Sequence, residues 1–125
     1  MANPAASNLE AQLFGISTLV QIVKRARHAA TAQELAFIMV NESHSLVPYR
    51  QAALWQREGA GAAGVVAISG ATVVERNAPF TLWLKRALAK LDDGALPTMP
   101  RTVEAADLPG NLGADFTEFG HHRAT

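Results

Sequence analysis

Leu9, Leu13, Ile16, Val20 and Val23 recur at spacings of four and three, and Phe14, Leu19 and Ile22 widen the stripe. That period is helical. It predicts one amphipathic helix of about six turns. Ser7 followed by Glu10 has the form of a capping box, so the helix is expected to begin there, after a disordered lead over residues 1–6. Lys24, Arg25 and Arg27 fall near its end, where cations suit the negative pole of the helix dipole. Thr31 and Glu34 repeat the capping pattern ahead of "LAFIMV", residues 35–40. That run alone would pass for a buried strand; the cap favours a second helix over residues 32–46. Pro48 ends it, because the residue before a proline is pushed out of the helical region.

After Arg50 the period changes to two. Gln51, Ala53 and Trp55 alternate with Ala52, Leu54 and Gln56, so Leu54 and Trp55 are expected on opposite faces of a strand. "REGAGAAG" reads as a glycine-rich turn, and the β-branched "VVAIS" as a second strand closed by Gly70. "NAPFTLWLKRALAKLDDG" predicts a third helix with Pro79 in its first turn and Gly94 as its stop. Phe80, Leu84, Ala87, Leu88 and Leu91 would form its buried stripe, with Lys85, Arg86 and Lys90 facing out. Residues 95–125 read as coil and an incomplete C-terminal segment. The fold class is therefore α/β of the α+β kind, with helices packed on a small antiparallel sheet and a core over residues 7–94. Two strands are too few for an independently stable sheet. The helices, a later strand or another chain must complete it.

Length and composition narrow the function. The chain has 125 residues, 49% hydrophobic and 18% charged, which suits one globular domain. Lysine plus arginine equals aspartate plus glutamate, 11 against 11, so the general electrostatic pull that nucleic-acid binding relies on is missing. The dense basic stretch "KRARH", Lys24 to His28, reads as a solvated helix face. No apolar run reaches the ~18–20 residues that span a bilayer, and the N-terminus lacks the pattern of a signal peptide. A cytoplasmic protein without direct membrane insertion is expected. With no cysteine, disulfides, thiolate zinc sites and thioether-linked cofactors are excluded.

Candidate chemistry is thin. His121 and His122 are adjacent, and strand neighbours point to opposite faces, so they chelate poorly. His28 and His44 fall on separate helices, and no spacing converges three ligands on a metal. Ser69 in "ISGAT" lacks the G-x-S-x-G elbow. Asp92 and Asp93 are adjacent acids at a helix end. "GAGAAG", residues 59–64, lacks the lysine and hydroxyl residue of a phosphate loop and precedes a strand. The stretch with most polar functionality is the corner "VNESHSLVPYRQ". Asn41, Glu42, Ser43 and His44 there bond the last helix carbonyls or face water, or else share a ligand or partner site with Tyr49, Arg50 and Ser69.

"ELAFIMVNESHSLVPYRQAALWQ" followed by "GVVAISGATVVERNAPFTLWLKRAL" resembles the N-terminal GAF-like segment of HlyD-type secretion adaptor (membrane-fusion) proteins of Gram-negative bacteria. The helix-to-strand corner "VNE…L.PYRQA.LW", the strand "V.A.SG" and the helix start "APF..WL" carry the likeness over residues 34–88, with looser agreement in "VEAADLPGNLG". The resemblance implies a GAF-type domain, a central antiparallel sheet backed by helices, of a class that senses small ligands or mediates dimerisation. In the adaptors such a segment precedes a membrane helix and a lipoyl-like hairpin. Neither follows here, and the chain stops where the next GAF strand is expected, so a truncated domain, or one completed by association, is implied.

Three functions follow in order of preference. The first is a non-enzymatic GAF-like module for assembly or regulation, with an export-system partner. The second is a small-ligand sensor using the corner, and the third an enzyme of unrecognised type. No cofactor is expected. Homo-oligomerisation is expected through the seam Leu9, Leu13, Ile16, Val20 and Val23, whose four-three spacing is that of helix pairing. One apolar stripe of that helix would cover the chain's own hairpin and the other a partner.

Overall fold

A computed structural model describes residues 3–57, 64–92, 94 and 99–119. The chain is α+β, with helices and a two-stranded antiparallel sheet. The elements are α1 (Pro4–Arg27), α2 (Ala32–Glu42), β1 (Ala53–Gln56), β2 (Gly64–Ile68), α3 (Pro79–Leu91) and α4 (Asn111–Phe119). They fall into two compact units, residues 1–56 with 66–74 and residues 57–65 with 75–125.

The first unit begins earlier than the sequence suggests. Pro4 opens α1, and Asn3 caps it, its Oδ1 accepting the Ala5 N–H at 3.1 Å. Ser7 lies inside the helix, so the expected lead over residues 1–6 is replaced, from Asn3 onward, by a capped helix start. Proline at the first helical position loses nothing, because its missing N–H would have no intrahelical acceptor. The second cap forms as a variant of the expected box. Thr31 Oγ1 accepts the Glu34 N–H at 3.0 Å, while Glu34 reaches one residue further back, to the Ala30 N–H at 2.9 Å. Helix α2 ends at Glu42, not at residue 46, and tightens into a 3-10 turn over Ser43–Ser45. Ser43 Oγ donates back to the Met39 carbonyl at 2.5 Å, and such bonding favours a change of helix pitch.

One face of α2 covers the sheet. Ala36 and Val40 pack with Ala67, joined by Ala52, Leu54 and Val66. Leu54 thus faces this small core, and the alternation of a strand sends Trp55 to the other side. Helix α1 packs on α2. Its half-buried positions Gly15, Thr18, Ile22 and Ala26 share one stripe, and none of its residues is buried. The expectation that a stripe of α1 would cover the hairpin is therefore corrected: the neighbour of α1 is α2.

The second unit is built on clustered aromatic residues. Trp83 and Ala87 of α3 pack with Val103, Leu108 and Phe116, and Phe80, Leu84, Leu91, Leu112 and Phe119 surround them. Trp83 lies 5.8 Å from Phe116 and 5.7 Å from Phe119, ring centroid to centroid, and its Nε1 donates to the Leu112 carbonyl at 3.1 Å. Residues 95–125, expected as coil, instead supply a 3-10 turn over Ala105–Asp107 and the helix α4. Leu112, Phe116 and Phe119 sit four and three apart, so α4 presents an apolar stripe to α3. Asp92 closes α3, and Arg57 grips it in a two-pronged pair, Nε to Oδ2 at 3.0 Å and Nη2 to Oδ1 at 2.7 Å. A carboxylate at a helix C-terminus is unfavourable by itself, and the guanidinium offsets it. Gly94, expected as the helix stop, has φ +80° and lies two residues beyond that cap. The turn "GAGAAG", Asp93, His121 and His122 lie outside the described residues, apart from Gly64 at the start of β2.

Gly113 makes the α4 packing possible. A Cβ there would lie 2.6 Å from the Ala105 carbonyl oxygen and 2.8 Å from that of Leu108, both backbone atoms that no rotamer change can move. Gly113→Ala should destabilise the protein by about 1–3 kcal/mol, as overpacking does. Gly15→Ala has the opposite sign. Its Cβ meets nothing within 4 Å, and alanine is the better helix former by up to about 1 kcal/mol. Urea titration followed by circular dichroism measures both.

Candidate functional site

The corner between α2 and β1 brings the polar residues together, and it turns them inward. The Asn41 amide bridges two elements. Its Nδ2 donates to the Phe37 carbonyl at 2.9 Å, and its Oδ1 accepts the Gly70 N–H at 2.9 Å. Gly70 has φ +80°, a conformation glycine reaches without steric cost, and this aims its N–H at α2. Tyr49 reaches back over the end of α2: its hydroxyl donates to the Val40 carbonyl and lies 3.0 Å from Ser43 Oγ. Ser45 Oγ donates to the Glu42 carbonyl at 2.9 Å. The Val40 and Glu42 carbonyls are among those that a helix end leaves without intrahelical partners.

Ser69 answers a different need. Its N–H donates to the Ala52 carbonyl at 2.8 Å, and its Oγ accepts the Ala52 N–H at 2.8 Å. One residue therefore satisfies both backbone groups of Ala52 and extends the β ladder by a side chain. Glu42 points toward α1, where its Oε2 lies 3.0 Å from Arg25 Nη2. The two groups are not aligned as a hydrogen bond, and that oxygen is buried. The contact is therefore a charge pairing rather than a directed bond. His44 is exposed and meets the Tyr49 ring edge-on, centroids 5.0 Å apart and planes at 86°. Arg50 is exposed and takes no part in this network.

Thus Asn41, Ser43, His44 and Tyr49 share one corner, Ser69 is held beside it through Gly70, and Glu42 and Arg50 point elsewhere. A nucleophile needs a base beside it. Here the Ser43 and Tyr49 hydroxyls have two protons for three close contacts, Met39, Val40 and each other, and neither contacts a carboxylate or imidazole nitrogen. Ser69 Oγ is an acceptor for backbone. Among the described residues no group of three or more His, Asp or Glu is placed to hold a metal ion.

The largest unanswered chemical feature is apolar. Leu9, Leu13, Ile16, Val20 and Val23 all stay exposed along α1, between 41% and 59%, as do Phe14 and Leu19. At about 100° per residue, the seam residues and Leu19 fall within an arc of about 120°, next to the half-buried stripe. Helix α2 adds Leu35, Phe37 and Met39, which are also exposed. The run "LAFIMV" was the available signal for these. Six consecutive apolar residues in a helix point all round it, so a core on one side cannot bury them all.

No family model, curated protein or solved structure matches the chain. Among the described residues, no helix is long and apolar enough to cross a membrane.

The hydrogen bonds rank the corner residues. Tyr49→Phe and Ser69→Ala each remove the partner of a backbone group and should cost about 1 kcal/mol. His44→Ala and Arg50→Ala, at exposed side chains, should stay within about ±0.5 kcal/mol. Chemical denaturation of the four variants gives the order. A His44 variant that proved the most destabilising would show that the network has been read wrongly.

Proposed function

We propose that this chain is a non-enzymatic, GAF-like assembly or regulatory module of a bacterial export system, acting in the cytoplasm beside a secretion adaptor. The observation that carries the assembly reading is the α1 face. Monomeric proteins rarely leave contiguous apolar patches of more than a few hundred Å² in water, and α1 presents Leu9, Leu13, Ile16, Val20 and Val23 along its exposed length. The sequence likeness over residues 34–88 supports the GAF-like and export parts of the reading. The α+β class, with a helix backing an antiparallel sheet, is consistent with it. Ligand sensing through the corner is less favoured, because Asn41, Ser43, Tyr49 and Ser69 would first have to release backbone groups they now satisfy.

Light scattering coupled to size exclusion at tens of micromolar should report a homo-oligomer. The double variant Leu13→Glu, Val20→Glu should remain helical by circular dichroism and run as a monomer. A monomeric parent protein sinks the self-assembly reading, and so does a folded double variant that keeps the oligomeric mass. In a thermal-shift screen, a small molecule that raises the melting temperature of the parent but not of Asn41→Ala would move the function to the corner.

A further inference from the structure

Resting on that assembly reading, we propose that the occupant of the α1 face is the α1 of a second copy of this chain, running antiparallel. The argument has three parts: area, pattern and charge.

The exposed portions of Leu9, Leu13, Ile16, Leu19, Val20 and Val23, the residues of that arc, amount to roughly 500–600 Å², about two thirds of the ~800 Å² per partner of a standard interface. A second α1 offers the same area with the same shape, and isologous pairing is the commonest way for a soluble chain to close an assembly. The four-three spacing places Leu9, Ile16 and Val23 at one core position of a heptad and Leu13 and Val20 at the other. The seam runs over the exposed arc and leaves the half-buried stripe of Gly15, Thr18, Ile22 and Ala26, and the packing of α1 on α2, as they are. Self-pairing therefore needs no rearrangement of the first unit.

Charge sets the direction. Glu10 is the only acid on α1, and Lys24, Arg25 and Arg27 gather at the far end. Arg25 is already paired with Glu42. Glu10 and Lys24 are exposed and occupy the same flanking position of the heptad, each one residue after a core residue, Leu9 or Val23. Such flanking charges set orientation in paired helices. In a parallel pair, the three basic residues of one copy lie level with those of the other, and the two Glu10 carboxylates lie level too. In an antiparallel pair that sets Leu13 against Val23 of the second copy, and Ile16 against its Val20, Glu10 falls about two residues from the second copy's Lys24, or about 3 Å along the axis. The two-fold axis makes that contact twice, and the macrodipoles of antiparallel helices also oppose.

The natural absence of cysteine makes a clean test possible. Leu13→Cys and Val23→Cys are prepared separately, mixed, and oxidised under mild conditions. Antiparallel pairing predicts a disulfide between the two variants in the mixture and none within either alone. Identical positions would then be offset by about ten residues, or about 15 Å, beyond the ~7 Å Cα separation a disulfide tolerates. Cross-links within each variant alone, with none gained on mixing, would overturn the direction and leave self-assembly standing. A parent chain that stays monomeric and floats with vesicles of mixed zwitterionic and anionic lipid would overturn both.

Charge exchange supplies a second readout that leaves the apolar seam untouched. Glu10→Lys should weaken self-association about tenfold, as two attractive contacts become repulsive. Adding Lys24→Glu to it should restore the parent affinity. A double variant that associates no better than Glu10→Lys alone would overturn the antiparallel pairing. Circular dichroism on each variant confirms that the helices are kept.

Discussion

The end of a helix leaves carbonyl groups that nothing inside the helix can satisfy, and the turn from α2 into β1 is organised around that requirement. Ser43, Ser45, Asn41 and Tyr49 each donate to a carbonyl of α2. Asn41 also takes the Gly70 N–H, and Ser69 takes that of Ala52. A two-stranded ribbon has little stability by itself. The Asn41–Gly70 and Tyr49–Val40 bonds tie its ends to α2, beside the apolar contact of Ala36 and Val40 with Ala67 and Leu54. The chemistry that looks reactive in the sequence is therefore what attaches sheet to helix. The side chains left facing water at this corner, His44 and Arg50, are the ones it does not need.

The two units meet the burial requirement by different means. In the second unit, Trp83 and Phe116 are nearly inaccessible, and Trp83 contacts Phe80, Phe116 and Phe119. A few large rings bury much area per residue, so a short segment can hold a core. Close approach at Gly113 and the mutual capping of Glu104 and Asp107 then fix the turn against α4. The first unit buries small and β-branched residues instead, Ala36, Val40, Ala67 and Ile68. Small side chains hide little area, and this unit also carries α1, a helix of 24 residues with none buried. Apolar surface left by a thin core has the same physical origin as an interface.

Much of this was legible in the sequence, and the failures share a cause. Helices α1, α2 and α3 and the β hairpin follow from periodicity and caps, and Thr31 does cap α2 through Glu34. The start of α1 was misplaced because Ser7–Glu10 and Asn3–Pro4 both resemble a helix start. Proline at the first helical position is as diagnostic as a capping box, and here it marks the true start. Helix α4 was missed because Gly110 and Gly113 punctuate "PGNLGADFTEF" as a loop would. Gly113 serves a close backbone approach, a tertiary fact with no local signature. Trp83 was left out of the α3 stripe for a similar reason. Its partners lie in α4, and without that helix nothing marked its side as the inner one. At the corner, residue types identified the hydrogen-bonding groups but not their direction. Whether Asn41 faces a ligand or Gly70 depends on a contact 29 residues away in sequence.

The seam of α1 shows how far pattern reading reaches. A four-three repeat says that one side of a helix will be covered; it does not say by what. In this chain the repeat is followed faithfully, yet the half-buried positions of α1 are the ones beside it, Gly15, Thr18, Ile22 and Ala26. Burying Leu13 and Val20 against α2 would turn that half-buried stripe to solvent. It would also carry Arg25 away from Glu42, whose buried Oε2 has Arg25 as its charged neighbour. Leaving that oxygen without its cation is unfavourable. The Arg25–Glu42 pairing therefore favours the rotation in which α1 presents its apolar arc outward, and the exposure of that arc is tied to an interaction inside the unit.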